Sequence, residues 1–193
     1  MNHGRRALCT LLSLSLLVGA TPALSNSADD LLALCSVDTL PKDIRNSLSR
    51  NFSAWKIQEP QDLSARARVR WGEERPLACP GIAAGRFQDP KEGSYALLLV
   101  PTNRASNAFK LLIYTQQAGQ QYYGFKAVAQ GDADGNEIFI ATVPTVRFFE
   151  ATSKWVAHSR VSEAVMMVDS ANTQSYLYVW SDLAYEREQV NYR

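Results

Sequence analysis

The chain has 193 residues, of which 46% are hydrophobic, and its 20 basic and 19 acidic side chains leave a formal net charge of +1. A balanced charge is not typical of nucleic-acid binders, and the hydrophobic fraction is too high for a disordered chain. The length suits one domain with a single core.

The N-terminal residues 1–25 are predicted to be a secretory signal peptide. Arg5 and Arg6 precede an apolar run over residues 7–20, and a stretch of small residues follows it, which is the order of regions in such a peptide. The apolar run has about 14 residues, fewer than the ~20 that span a bilayer. An uncleaved anchor or a buried core helix are the alternatives.

Cleavage is expected after Ala23 or Ser25, because small residues precede the cleavage site of a signal peptide. Loss of the two arginines changes 20 basic residues to 18 against 19 acidic ones, so the net charge goes from +1 to −1. Residues 26–193 are then predicted to form one domain, periplasmic or secreted, without a membrane span.

Two cysteines remain after cleavage, Cys35 and Cys79, because Cys9 leaves with the signal peptide. An even number of cysteines in an oxidising compartment predicts a disulfide. The bridge would close a loop of about 45 residues and contribute roughly 4 kcal/mol in the chain-entropy model. Two buried thiols are the alternative, since sequence does not show whether the Cα atoms come within reach.

Two helices are predicted near the start of the mature chain. A short one lies within residues 26–37, capped by Ser27, and a clear one covers residues 41–53. Apolar residues recur every four positions in the second helix, so they lie along one face and need a partner such as a sheet. These residues are Leu40, Ile44, Leu48 and Phe52.

Residues 64–71 alternate with period two and therefore predict a strand. One face of that strand would carry Arg66, Arg68 and Arg70. At a spacing of about 6.6 Å these cations suit a polyanion, such as a phosphate-bearing cell-wall polymer, or an acidic partner. The alternative is a solvated strand face paired with carboxylates such as Glu73 and Glu74.

The rest of the chain predicts further strands. Residues 95–100 and 109–115 are expected to form one hairpin, and residues 122–129 and 137–143 a second around Asp134-Gly135. The last three strands are expected at residues 164–168, 176–180 and 185–190. No long helix separates these strands, so the fold class is α+β: one or two N-terminal helices on an antiparallel sheet of about six to eight strands.

The penultimate strand carries a second candidate binding surface. Its aromatic residues Tyr176, Tyr178 and Trp180 alternate with smaller apolar residues and share one face. An exposed face of this kind stacks on a glycan or a peptide. The alternative is that the aromatic face packs against the helix over residues 41–53, since aromatic residues dominate protein cores.

The segments Cys79-Pro80-Gly81, Gly85-Arg86-Phe87 and Tyr95-Ala96-Leu97-Leu98-Leu99 resemble a group of uncharacterised bacterial exported proteins with one degenerate FG-GAP (VCBS-like) unit. The resemblance covers most of the mature chain and implies no established activity. In that pattern an acidic loop could hold calcium, whereas Arg86 and Ser94 replace its acids here. Residues 88–94 are therefore expected to be a structural connection.

A second acidic loop, residues 131–137, begins like a calcium-binding EF-hand loop. Its glycine, Gly135, comes too early, and Val143 stands where the loop would need a glutamate. A hairpin turn explains the Asp-Gly pair without a metal ion.

Catalytic motifs are absent from the sequence. His158 is the one histidine of the mature chain, too few for a zinc site, and there is no G-x-S-x-G or nucleotide-binding motif. We predict no catalytic residue, cofactor or metal.

These features together predict an exported, non-catalytic binding or interaction module, a class to which small inhibitor and immunity proteins belong. Its partner would be a protein or an envelope polymer and not a nucleic acid. The alternatives are a carboxylate-dependent envelope hydrolase and a structural envelope protein. A deep pocket with converging carboxylates would favour the hydrolase, and an exposed aromatic or arginine stripe would favour binding.

Overall fold

The computed structural model describes residues 33–74, 78–116, 122–145, 161–181 and 183–190. The predicted signal peptide and His158 lie outside the described residues, as does most of the predicted helix within residues 26–37. In the described part of the chain, no helix combines the length and the apolar composition needed to cross a membrane.

Two α-helices and nine strands make up the described part of the chain. The helices are α1 (Lys42–Asn51) and α2 (Ala65–Glu74). The strands are β1 (Trp55–Ile57), β2 (Ile82–Gly85), β3 (Ser94–Pro101), β4 (Phe109–Gln116), β5 (Tyr123–Gly131), β6 (Ile138–Pro144), β7 (Glu163–Asp169), β8 (Gln174–Trp180) and β9 (Tyr185–Val190).

The strands form two antiparallel sheets rather than one. The first sheet has five strands in the order β1-β3-β4-β5, with β2 pairing β3 beyond the end of β1, and the second has four strands in the order β6-β7-β8-β9. The α+β class and the antiparallel pairing are confirmed. The single sheet of six to eight strands is corrected to two sheets.

The two sheets and two helices pack as four layers. In β3, Ala96 and Leu98 face the second sheet, whereas Leu97 and Leu99 lie beneath α1. On the far side, Ala67 and Trp71 of α2 pack against the outer face of the second sheet. Both faces of the central strands are therefore buried, which explains why they are continuous apolar runs in the sequence.

Helix α1 confirms the clearest prediction from periodicity. Ile44 is fully buried, and its neighbours on the same face pack against the outer face of the first sheet. The contact residues on the sheet are Leu97, Leu99, Leu112 and Tyr114. The apolar face of α1 thus packs against a sheet, as the four-residue spacing predicted.

The strand predicted over residues 64–71 is wrong, because this segment is helix α2. Besides the two-residue alternation, Ala67 and Trp71 continue a four-residue apolar spacing that begins at the preceding Leu63, and these three side chains are buried. Ser64 caps the first turn, since its Oγ accepts a hydrogen bond of 3.1 Å from the Ala67 N–H. Alanine and arginine also favour helix over strand.

The hairpin predicted around Asp134-Gly135 is also wrong. Strand β5 pairs with β4 and strand β6 with β7, so residues 132–137 carry the chain from one sheet to the other. Asp134 adopts a left-handed conformation with φ 62°. A Cβ on Gly135 would lie 2.5 Å from the Asn107 carbonyl oxygen, so close backbone packing, and not a two-strand turn, explains the glycine.

The Cys35–Cys79 disulfide is present, with the two Cα atoms 5.1 Å apart and a sequence separation of 44 residues. Both cysteines are buried. The bridge fastens the segment before α1 to the loop that leads into β2.

Candidate functional site

The three arginines of the first candidate surface do not form a row. On helix α2, Arg66 and Arg68 point about 200° apart around the axis. Arg66 pairs with Glu137 at 3.3 Å and Arg70 with Glu74 at 2.9 Å. Two of the three arginines are therefore paired with carboxylates, as the alternative interpretation expected.

Arg68 has backbone partners. Its guanidinium donates hydrogen bonds of 3.1 Å to the carbonyl oxygens of Pro60 and Leu63. These contacts hold the turn before α2 against the helix, which gives Arg68 a role in the local fold.

The aromatic residues of β8 are likewise not an exposed stripe. Tyr178 is 1% exposed and packs between the two sheets. Its ring therefore neither faces solvent nor packs against helix α1, the two arrangements considered from the sequence. Burial raises the pKa of the Tyr178 phenol, and the neighbouring Arg187 opposes that rise. Tyr176 is half-buried, with the Arg187 guanidinium 5.0 Å from its ring centre. Trp180, at the end of the strand, reaches a cleft.

This cleft has a volume of about 430 Å³ and joins four parts of the chain: the β2–β3 loop, β4, β5 and the end of β8. We call it the Trp180 cleft. The polar and aromatic residues that line it are Gln88, Asp89, Glu92, Thr115, Gln116, Phe125, Lys126 and Trp180.

The β2–β3 loop places two carboxylates, Asp89 and Glu92, at the cleft. Phe87 anchors the loop, since its ring is fully buried between the sheets. The Arg86 N–H donates a hydrogen bond of 2.7 Å to Glu163 on β7. Within the loop, Asp89 Oδ1 accepts a hydrogen bond of 2.7 Å from the Lys91 N–H. The acids therefore stand on a loop held at its start by both sheets.

The Trp180 indole is positioned by two neighbours. Lys126 Nζ lies 4.1 Å from the ring centre and donates a hydrogen bond of 3.4 Å to the Leu183 carbonyl oxygen. The Tyr185 ring packs edge-on at 5.0 Å. Burial raises the pKa of Tyr185 to about 12, although the neighbouring Thr115 side chain acts to lower it. The indole is thus held between an ammonium group and a neutral phenol.

The chemistry of this cleft suits a polyhydroxylated ligand. Carboxylates and side-chain amides accept and donate hydrogen bonds to sugar hydroxyls, and an indole stacks on the apolar face of a sugar ring. Within the described residues, no group of three His, Cys, Asp or Glu side chains could hold a metal ion.

Sequence reasoning identified Trp180 and missed the other residues of this cleft. Asp89 and Glu92 lie in a loop interpreted as a structural connection, and Lys126 lies in a strand with no distinctive pattern. Two acidic residues in a loop between two apolar runs were the only sequence feature that could have indicated a site there. Their proximity to Trp180 depends on how the two sheets pack, which no local pattern expresses.

Comparisons with protein families, curated proteins and solved structures found no match to this chain.

Proposed function

We propose that this chain is an exported, non-catalytic binding module whose Trp180 cleft takes a glycan segment of an envelope polymer. Its export is supported by the N-terminal sequence pattern and by the Cys35–Cys79 disulfide, a bond typical of oxidising compartments. The resemblance to exported proteins with an FG-GAP-like unit is in keeping with that location.

The observation that carries the proposal is the composition of the cleft. An indole, two carboxylates and a lysine line one space of about 430 Å³, a size typical of small-ligand sites. The carboxylates outnumber the ammonium group, and Lys126 is already engaged with Trp180. The cleft therefore suits neutral or amino sugars better than acidic ones.

The test measures binding of N-acetylglucosamine trisaccharide to the mature protein by calorimetry for the wild type and the variants, with a fluorescence titration of the wild type alongside. Because Trp180 lines the cleft, we expect the ligand to change the tryptophan emission and Trp180→Ala to weaken binding about tenfold, or ~1.4 kcal/mol. Trp55→Ala is the matched control, since Trp55 lies outside this cleft. Equal affinity of the wild type and Trp180→Ala for the sugar would refute the site.

A second candidate function rests on the same loop. Asp89 and Glu92 both line the cleft, and a carboxylate pair is the machinery of glycoside hydrolysis. In that case wild-type protein would release reducing ends from the trisaccharide. Asp89→Asn and Glu92→Gln would each abolish the release while retaining binding. Binding without any release of reducing ends favours the non-catalytic module.

A further inference from the structure

A second concavity lies on the other side of the first sheet. It is a groove of about 610 Å³ between α1, β1 and the segment that begins at Cys35. We call it the α1 groove. Its apolar wall is formed by Leu48, Phe52, Trp55, Ile57 and Leu99. None of its lining residues belongs to the Trp180 cleft, so the two sites are independent.

One cation of the groove has an unused donor. The Nε of Arg45 is buried and has no hydrogen-bond partner among the described residues, a costly state for a guanidinium N–H. Its Nη1 lies 3.3 Å from Asp38, whose side chain is 81% exposed. An ion pair this exposed contributes little, so an arriving anion can compete for the Arg45 guanidinium.

The other charges of the groove are already paired. Lys56 Nζ lies 2.8 Å from Glu59 and 2.9 Å from Asp62. Burial lowers the pKa of Lys56, but the hydrogen bonds to these two carboxylates outweigh it and raise the pKa above its usual value. Lys56 therefore remains charged and engaged, and Glu59 makes this end of the groove unfavourable for an anion.

Of the three serines at the rim of the groove, Ser53 is exposed and the other two have local partners. Ser49 Oγ donates a hydrogen bond of 3.1 Å to the Asn46 carbonyl oxygen, and Ser36 Oγ accepts one of 3.2 Å from the Asp38 N–H. The groove thus combines an apolar wall with one cation, Arg45, that can accept an anionic group. An acyl chain needs no hydrogen bonds along its length, whereas an extended peptide does.

We propose that the α1 groove binds a single-chain amphiphile with a carboxylate head group, such as a fatty acid. The carboxylate accepts hydrogen bonds from the Arg45 guanidinium, and the acyl chain lies along Leu48, Phe52 and Trp55. Charge complementarity sets the orientation, because Arg45 attracts the head group and Glu59 repels it.

The test measures binding of laurate and of methyl laurate to the mature protein by calorimetry. We expect Arg45→Gln to weaken laurate binding at least tenfold and to leave the affinity for methyl laurate unchanged, because the ester has no negative charge. Arg50→Gln is the matched control, because it removes the same charge from an exposed position of the same helix. Ser49→Trp, at an exposed rim position, should weaken binding of both ligands by filling the groove.

Equal laurate affinity in wild type and Arg45→Gln would overturn the proposal, as would binding of an apolar decapeptide without binding of laurate. Thermal melts of each variant establish that it folds. The sugar trisaccharide should not displace laurate, so failure of the glycan proposal leaves this result interpretable.

Discussion

The pKa of the Tyr185 phenol depends on packing between the two sheets. Tyr185 begins β9, packs edge-on against Trp180, and places its phenol beside Thr115 of the first sheet. The buried phenolate would lose much of its hydration, so the neutral form is favoured and the pKa rises to about 12. In the sequence, Tyr185 is one of eight tyrosines and carries no distinguishing pattern.

The raised pKa of Tyr185 predicts a loss of stability at high pH. The contribution of the neutral phenol to the free energy of unfolding is full below pH 10. It is lost between pH 10 and about 12, because in this range the phenol ionises in the unfolded chain before it ionises in the folded one. The upper limit of this contribution is about 3 kcal/mol. Urea unfolding of Tyr185→Phe should show a shallower decline over this range than wild type.

Tyr122→Phe, which removes an exposed phenol, serves as the control for Tyr185→Phe. Tyr114, Tyr123 and Tyr178 also have raised pKa values, mainly through burial, so part of the decline should persist. An unchanged pH dependence in Tyr185→Phe would show that its phenol is not protected.

At the scale of elements, α2 is where two sequence patterns compete. Alternation over residues 64–71 places Ala67 and Val69 on the same face, whereas a helix places them on different faces. In the structure Ala67 is fully buried against the second sheet, and Val69 is 62% exposed. Burial of Leu63, Ala67 and Trp71 provides the stabilisation that selects the helix.

This difference predicts the outcome of two matched substitutions. Ala67→Asp should destabilise the protein by about 3 kcal/mol or more, because it buries a carboxylate in an apolar contact. Val69→Asp should cost under about 1 kcal/mol, since the side chain stays in solvent. Urea denaturation measures both. Similar losses for the two variants would restore the strand interpretation.

At the scale of the molecule, the four layers bury three apolar interfaces: helix on sheet, sheet on sheet, and sheet on helix. The Cys35–Cys79 bridge secures the outermost layer, because the segment that leads into α1 is tied to the entry of β2. Cys35 also lines the α1 groove, so the same bond supports a wall of that site.

Removal of this bridge should therefore be measurable as stability and as binding. The double variant Cys35→Ser, Cys79→Ser is expected to lose about 4 kcal/mol under oxidising conditions and to bind laurate more weakly. Wild-type protein in reductant should match the variant, whereas reductant should leave the variant itself unchanged. Identical melting temperatures for oxidised wild type and variant would contradict a stabilising bridge.

Local patterns in the sequence were sufficient for the features that depend on neighbouring residues. The four-residue stripe of α1, the β3–β4 hairpin and the three C-terminal strands are correct for that reason, and the even cysteine count found the disulfide. The short strands β1 and β2 were not predicted, because three or four residues are too few to establish a period.

The α+β class, the long apolar strands and the disulfide pair could be predicted from residue patterns, because periodicity and cysteine count are properties of the chain. Three further features follow only from tertiary packing: the strands divide into two sheets, residues 65–74 are helical, and Trp180 lines one cleft with Asp89, Glu92 and Lys126. Those outcomes depend on which surfaces are buried against each other, and segments far apart in sequence share that burial. Local periodicity carries no information about such contacts.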